Sequence, residues 1–261
     1  VLPGDIGDSS TLDLDRKTSR YLSRVLRMSQ GDGFDAIDEK GKRFRCTLTD
    51  FQDGIVRISL APQAPSMSAT MSHGPRLPRL ALIQALPKGQ KMDLIVRQAA
   101  EMGVEAIVPL ETRHCVSRET TEADKKAKLE RRIKIVREAE QQSGSGVQTK
   151  VLPTANPETL VKALGEIGFS PSESLYLICH EMEQTGMPDL HGYLAPDFGG
   201  VAILIGPEGG FAPDETTFFM DMGFKPVHFA GTILRTETAA AYALAAVRTI
   251  LMERNSWNPS K

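Results

Sequence analysis

Val201-Ala-Ile-Leu-Ile-Gly-Pro-Glu-Gly-Gly-Phe211 joins an apolar run to a loop rich in glycine. A short continuous run of branched side chains is the pattern of a strand buried on both faces, as in a parallel sheet. Leu175-Tyr-Leu-Ile178, Leu80-Ala-Leu-Ile-Gln-Ala85 and Ala106-Ile-Val-Pro109 repeat it, and Val227-His-Phe229 reads as a last strand. Between these runs the periodicity becomes helical. A helix over 90–102 sets Met92, Ile95, Val96, Ala99 and Met102 on one side, and Gly103 stops it. A long helix is predicted over 123–142. Asn156-Pro157 is a cap followed by proline at the first helical position. Pro213 and Gly223 bracket another helix, and residues 237–253 form the closing one. Strands alternating with helices imply an α/β layer fold with a parallel sheet.

Toward the N-terminus the pattern differs. Asp15 is placed to cap a helix over 16–28, with Tyr21, Leu22, Val25, Leu26 and Met28 on one face and Arg16, Lys17, Arg20, Arg24 and Arg27 on the other. Arg43–Leu48 and Val56–Leu60 alternate strictly, and Asp53-Gly54 between them is a hairpin signal. This is a small β-rich module. Residues 61–78 are rich in Pro, Ser and Ala without periodicity and read as a linker. Two domains are expected, over residues 1–70 and 71–261.

The net charge of −2 hides an uneven distribution. Residues 16–45 carry nine Lys/Arg against four Asp/Glu, and residues 76–150 carry fifteen against ten. Residues 151–230 carry two against eleven. Such asymmetry points to an anionic partner, although charge on long helices also serves solubility. Cys46, Cys115 and Cys179 are far apart, which argues against a zinc site or a disulfide framework and fits a reducing, cytoplasmic setting. No apolar run approaches a membrane span, so no membrane partner is expected.

Ligands of open parallel sheets bind outside the carboxyl ends of the strands. Cys179–Met182, Gly206–Phe211 and Ala230–Glu237 are loops of that kind. Gly206, Gly209 and Gly210 let backbone approach a flat ligand closely. Taken alone, the loop is equally an ordinary tight turn. It is not G-x-G-x-x-G, and the chain has no G-x-x-x-x-G-K-[ST], which excludes dinucleotide and P-loop sites. Arg235 and Glu237 open a helix that continues with Thr238, Ala239, Ala240 and Ala241. An acid there suits the helix dipole, and the small residues suit close packing or helix propensity alone.

Leu204-Ile-Gly-Pro-Glu-Gly-Gly-Phe211 followed by Ile233-Leu-Arg-Thr-Glu-Thr-Ala239 resembles the bacterial ribosomal RNA small subunit methyltransferase E family of the SPOUT superfamily. Leu86–Asp93, Glu101–Val104, Pro109–Arg113, and Tyr21–Arg27 with Gly31-Asp32 extend the likeness over nearly the whole chain. The resemblance implies an α/β SPOUT-type parallel sheet with a C-terminal trefoil knot, after a small N-terminal PUA-like β-barrel. It implies a homodimer that uses S-adenosyl-L-methionine to methylate N3 of a uridine in the decoding region of 16S ribosomal RNA, within the 30S subunit, and no metal.

The resemblance also implies roles. Leu177, His180, Leu204, Ile205, Gly206, Pro207, Glu208, Gly209, Gly210, Ala230, Gly231, Ile233 and Leu234 would line the cofactor pocket, largely through backbone. Arg235 would stabilise the uridine anion or grip a phosphate, and Glu237 would serve as base or orient Arg235. Arg20, Arg24, Arg27, Lys88, Lys91 and Arg113 would contact RNA. Ala230, Thr232, Gln98 and Glu140-Gln-Gln-Ser-Gly-Ser145 depart from the family pattern. Two other readings are a SPOUT 2′-O-ribose methyltransferase and a non-catalytic RNA-binding or ribosome-assembly factor.

Overall fold

The computed structural model describes Leu2 and residues 10–38, 42–62, 77–179, 188–229 and 233–254. The chain divides into two compact units, Val1–Pro75 and Arg76–Lys261. Residues 63–76, most of the expected linker, lie outside the described residues.

The first unit contains β1 (Thr11–Asp13), α1 (Arg16–Arg20), β2 (Gly33–Ile37), β3 (Arg43–Gln52) and β4 (Ile55–Pro62). The strands form one antiparallel sheet in the order β1-β4-β3-β2. Asp53 and Gly54 turn the β3–β4 hairpin with φ of 52° and 76°, the left-handed pair that matches strand twist. Phe44, Cys46, Leu48, Val56, Ile58 and Leu60 point inward from the hairpin and meet Leu14 and Leu22.

Asp15 caps α1 as expected, accepting the N–H groups of Lys17 at 2.8 Å and Thr18 at 2.9 Å. The helix does not continue regularly to residue 28. It widens into a π-helical turn over Tyr21–Val25, Leu26 N–H reaches Tyr21 O at 3.0 Å, and Arg27 ends it at φ 53°. Ser19 decides this. Its hydroxyl is buried, donates to Leu14 O at 3.2 Å and accepts Val56 N–H at 3.0 Å, which anchors α1 on β4. Leu22 then enters the core, while Tyr21, Val25 and Leu26 remain exposed rather than sharing its buried face.

The second unit runs β5 (Arg79–Ala85), α2 (Lys91–Glu101), β6 (Ala106–Leu110), α3 (Glu122–Ser143), β7 (Lys150–Val151) and α4 (Pro157–Glu166). It continues with β8 (Ser174–Cys179), α5 (Leu190–Leu194), β9 (Gly200–Ile205), α6 (Pro213–Asp221), β10 (Lys225–Val227) and α7 (Thr236–Glu253). All six strands are parallel, in the order β10-β8-β9-β5-β6-β7. The last strand lies two residues before its expected position, and β7 and α5 had no pattern long enough to announce them.

Side chains alternate across β5. Leu80 and Leu82 join Val96 of α2, Val136 of α3 and Leu244 of α7, whereas Ala81 and Ile83 join Leu160 of α4 and Phe219 of α6. Both faces of the sheet are therefore covered, which is why its strands read as unbroken apolar runs. Arg248 of α7 donates to the carbonyls of Met102 and Gly103 at 2.8 and 2.9 Å, satisfying orphan acceptors at the end of α2. Among the described residues no helix is long and apolar enough to cross a membrane. The expected trefoil knot depends on the path through 180–187 and 230–232, which lie outside the described residues.

Candidate active site

The strand order runs outward from β5 through β6 to β7 on one side and from β5 through β9 to β8 on the other. The switch point is the gap between the carboxyl ends of β5 and β9, where open α/β sheets bind ligands. The loop Gly206–Phe211 leaves β9 at that point. Its turn is closed by Gly210 N–H donating to Pro207 O at 3.0 Å, with Gly210 at φ 65°. A Cβ on Gly206 would come within 3.1 Å of the Phe211 ring, and one on Gly209 within 3.1 Å of His114 Cβ. His114 Nδ1 also lies 3.0 Å from Gly209 O. Gly206 and Gly209 are thus needed for close approach to Phe211 and to His114, and the bare backbone of the loop forms a cradle.

Two sets of contacts pin this loop. The first is buried. Gln84, fully buried near the end of β5, donates through Nε2 to Ala85 O at 2.9 Å and to Thr236 Oγ1 at 3.0 Å. Because Thr236 accepts from Gln84, its own proton is directed to Gly206 O, at 2.7 Å. One hydroxyl joins the strand end, the loop and the first residue of α7. Gln84 Oε1 is buried without a hydrogen-bond partner among the described residues.

The second is ionic and half-buried. Glu208 accepts the backbone N–H of Lys88, at 3.2 and 3.1 Å to its two oxygens, and the Lys91 ammonium at 2.8 Å. The same ammonium lies 3.2 Å from Glu237 Oε2, close enough for ion pairing but without the alignment of a hydrogen bond. Burial opposes the charge on Glu208. The hydrogen bonds from Lys91 and from backbone N–H groups outweigh it, and the carboxyl is held below its usual range. Lys91 is raised by its hydrogen bond to Glu208, then by Glu237.

The remaining expected site residues fall into three groups. Leu177, Leu204 and Ile205 are buried in the core, so only their backbone can face a ligand. Ile233 is 84% exposed, Leu234 is half-buried, and Arg235 is exposed, its guanidinium without a hydrogen bond or ion pair among the described residues while its carbonyl accepts Ala239 N–H at 2.8 Å. His180, Ala230 and Gly231 lie outside the described residues, as does Thr232. Burial pushes the Cys179 thiol, at the end of β8, up to about 12, so it is no nucleophile at neutral pH.

Of the expected RNA contacts in this unit, only Lys88 presents an uncommitted side chain. Lys91 is held between two carboxylates. Arg113 grips Asp214, with one contact at 2.8 Å, and its backbone N–H donates to Glu215 Oε1 at 2.8 Å. Arg20, Arg24 and Arg27 belong to the first unit. Sequence reading missed Gln84, Thr236 and His114. Gln84 left a trace as the polar residue inside an otherwise apolar strand, and Thr236 stands within the Ile233–Ala239 motif without a role read for it.

Residues 75–248 match the RNA methyltransferase domain family, and residues 14–60 match the RNA methyltransferase PUA domain. The ribosomal RNA small subunit methyltransferase E of Synechocystis sp. is 31% identical over 245 residues, 93% of this chain and 74% of that protein. The chain belongs to the ribosomal RNA small subunit methyltransferase E family. The family member of Mycobacterium tuberculosis is 29% identical over 228 residues, 87% of this chain and 82% of that protein. The crystal structure of the Neisseria gonorrhoeae family member bound to S-adenosyl methionine superposes with a TM-score of 0.73 at 28% identity, covering 95% of each chain. A Legionella pneumophila protein solved with the bound cofactor gives 0.74 at 26% identity, again over 95% of each chain. The SPOUT-type parallel sheet and the N-terminal PUA unit expected of this family are both present.

Proposed function

We propose that the protein transfers a methyl group from S-adenosyl-L-methionine to N3 of a uridine in the decoding region of 16S ribosomal RNA. The observation that carries this reading is the pinned glycine loop at the switch point, with the free Arg235 guanidinium at the adjoining start of α7. The bare backbone of Gly206, Gly209 and Gly210 fits a flat nucleoside. Two relatives with that cofactor bound support the choice.

The cofactor supplies an electrophilic methyl group on a sulfonium. The chain must hold that group in line with the acceptor nitrogen. Gly206–Gly210, Ile233 and Leu234 are the described residues that would line the cofactor's pocket. Uridine N3 is a weak nucleophile until its proton leaves. Arg235 stabilises the resulting anion, and it needs no carboxylate released first because none holds it among the described residues. Glu237 is the candidate proton acceptor. Its carboxylate lies 3.2 Å from the Lys91 ammonium, and the alternative task is to orient Arg235. The protein acts in the cytoplasm as a homodimer, with the knot of its superfamily, and takes the 30S subunit as substrate.

Methylation of 30S subunits and of naked rRNA, followed by digestion and mapping of the modified nucleoside, tests the reading. 3-Methyluridine is the expected product. A 2′-O-methylated nucleoside would move the chain to ribose chemistry. No affinity for the cofactor by calorimetry would leave an RNA-binding assembly factor.

A further inference from the structure

Surplus negative charge does not help a site meet a polyanionic RNA, yet two carboxylates meet at the switch point. Glu208 comes from the glycine loop and Glu237 from the first turn of α7, and a single ammonium, that of Lys91, lies 2.8 Å from one and 3.2 Å from the other. The Lys91, Glu208 and Glu237 side chains are 32%, 34% and 18% exposed, so two negative charges and one positive stand where water screens them only in part. Lys88 and Arg235, the other cations at this end of the sheet, are exposed, where solvent and salt screen them. Hydrogen-bond acceptors are in surplus as well. Gln84 Oε1 and Glu237 Oε2 are buried and have no hydrogen-bond partner among the described residues. Turning the Gln84 amide end for end does not cure this, because its Nε2 position meets the Ala85 carbonyl at 2.9 Å, where only a donor fits.

A half-buried site with one negative charge left over and acceptors to spare suits a ligand that is itself positive. We propose that the charge shared by Glu208 and Glu237 selects the methyl-bearing cofactor over its demethylated product. S-Adenosyl-L-methionine carries a positive sulfonium, and S-adenosylhomocysteine carries a neutral thioether at the same place. The uncompensated carboxylate charge attracts the first and is indifferent to that sulfur in the second. Lys91 sets the strength of the selection by cancelling one of the two charges. The inference rests on the cofactor reading above and adds to it a reason for the product to leave. Loop pinning alone is the competing role for this cluster, and it predicts that damage to the cluster weakens both ligands alike.

The full chain is titrated by calorimetry with S-adenosyl-L-methionine, with S-adenosylhomocysteine and with sinefungin, in which an amine carries the charge in place of the sulfonium. The titrations are run at about pH 8, where ordinary imidazoles are neutral. The readout is the Kd of the product divided by the Kd of the cofactor. Glu208→Gln and Glu237→Gln each lower that ratio by about five-fold, and Lys91→Met raises it by a similar factor, the size of one unit charge acting across a partly hydrated site. Sinefungin follows the cofactor in all three variants. Glutamine keeps the size of each glutamate and one of its acceptor oxygens, so the Lys88 N–H retains a partner. A ratio that none of the three variants moves overturns the proposal, even where both affinities fall. So does a ratio that moves in the same direction in Lys91→Met as in the glutamine variants. Either result, with both ligands still bound, sinks this inference and leaves the cofactor reading standing. A natural chain that binds none of the three compounds sinks that reading and this inference with it.

Discussion

Replacing Thr236 with valine tests the buried contact that ties the glycine loop to α7. The two side chains have the same shape, and Thr236 is 5% exposed, so packing is preserved. Two hydrogen bonds are removed, the 2.7 Å bond to Gly206 O and the 3.0 Å bond from Gln84 Nε2. Gln84 keeps its bond to Ala85 O, but one N–H is left orphaned inside a fully buried strand that already holds the unpartnered Oε1. An orphaned buried donor costs about 1–3 kcal/mol. Gly206 is half-buried, so its carbonyl regains some solvation and loses about 1 kcal/mol. The total is about 2–4 kcal/mol, a fall in Tm of about 5–12 °C for a unit of this size.

The same change frees the first residue of the loop, so affinity for S-adenosylmethionine falls as well, as calorimetry would show. Thr236→Ser keeps the hydroxyl and retains most of both. Gln84→Leu removes the amide that Thr236→Val orphans, so the double variant loses less than the sum of the singles, by about 1 kcal/mol or more. Strict additivity, or equal losses from Val and Ser, would refute the reasoning, because a contact that directs a proton cannot be indifferent to the hydroxyl.

Arg235→Ala should abolish most methyl transfer while leaving cofactor affinity within a few-fold, since its guanidinium is exposed and binds nothing else among the described residues. Near-normal turnover in single-turnover assays would remove it from the mechanism. The Lys91 cluster has a defined pH window. Lys91 is raised, so its pairing is complete below its ordinary value of 10.5 and is lost only as pH rises through the higher folded value. Glu208 is lowered, so its contribution is present above its ordinary 4.5 and is lost as pH falls through the lower folded value. Cofactor affinity should therefore be flat between those limits, and Lys91→Met should move the acid limb to higher pH; an unmoved limb in a titration of affinity contradicts the assignment. Gly210→Ala, at φ 65°, should cost about 1 kcal/mol of stability by forcing a side chain into the left-handed region, measurable as a lowered denaturant midpoint.

Much of the fold was legible locally. Asp15, Asn156 and Gly103 marked helix boundaries that the structure keeps, because a cap is a contact between residues a few positions apart. The apolar runs marked the strands because both faces of the sheet are covered. The face shared by Tyr21, Leu22, Val25 and Leu26 was misread, since a single buried hydroxyl, Ser19, sets how α1 lies on β4 and no periodicity records it. Lys91 and Arg113 read as RNA contacts because each partner, Glu208, Glu237 or Asp214, is more than a hundred positions away in the chain.

Sequence alone determined that Gly206–Phe211 is a glycine-rich loop at the end of a buried strand, and its pairing with Ile233–Ala239 determined the family. Apolar periodicity and glycine spacing are short-range signals, and a chain carries them before it folds. Only the tertiary structure decided that β9 lies beside β5, which brings Gln84, Lys91, Glu208, Thr236 and Glu237 to one switch point. Polar partners that meet across a sheet leave no local pattern, because what selects them is the desolvation each would suffer unpaired.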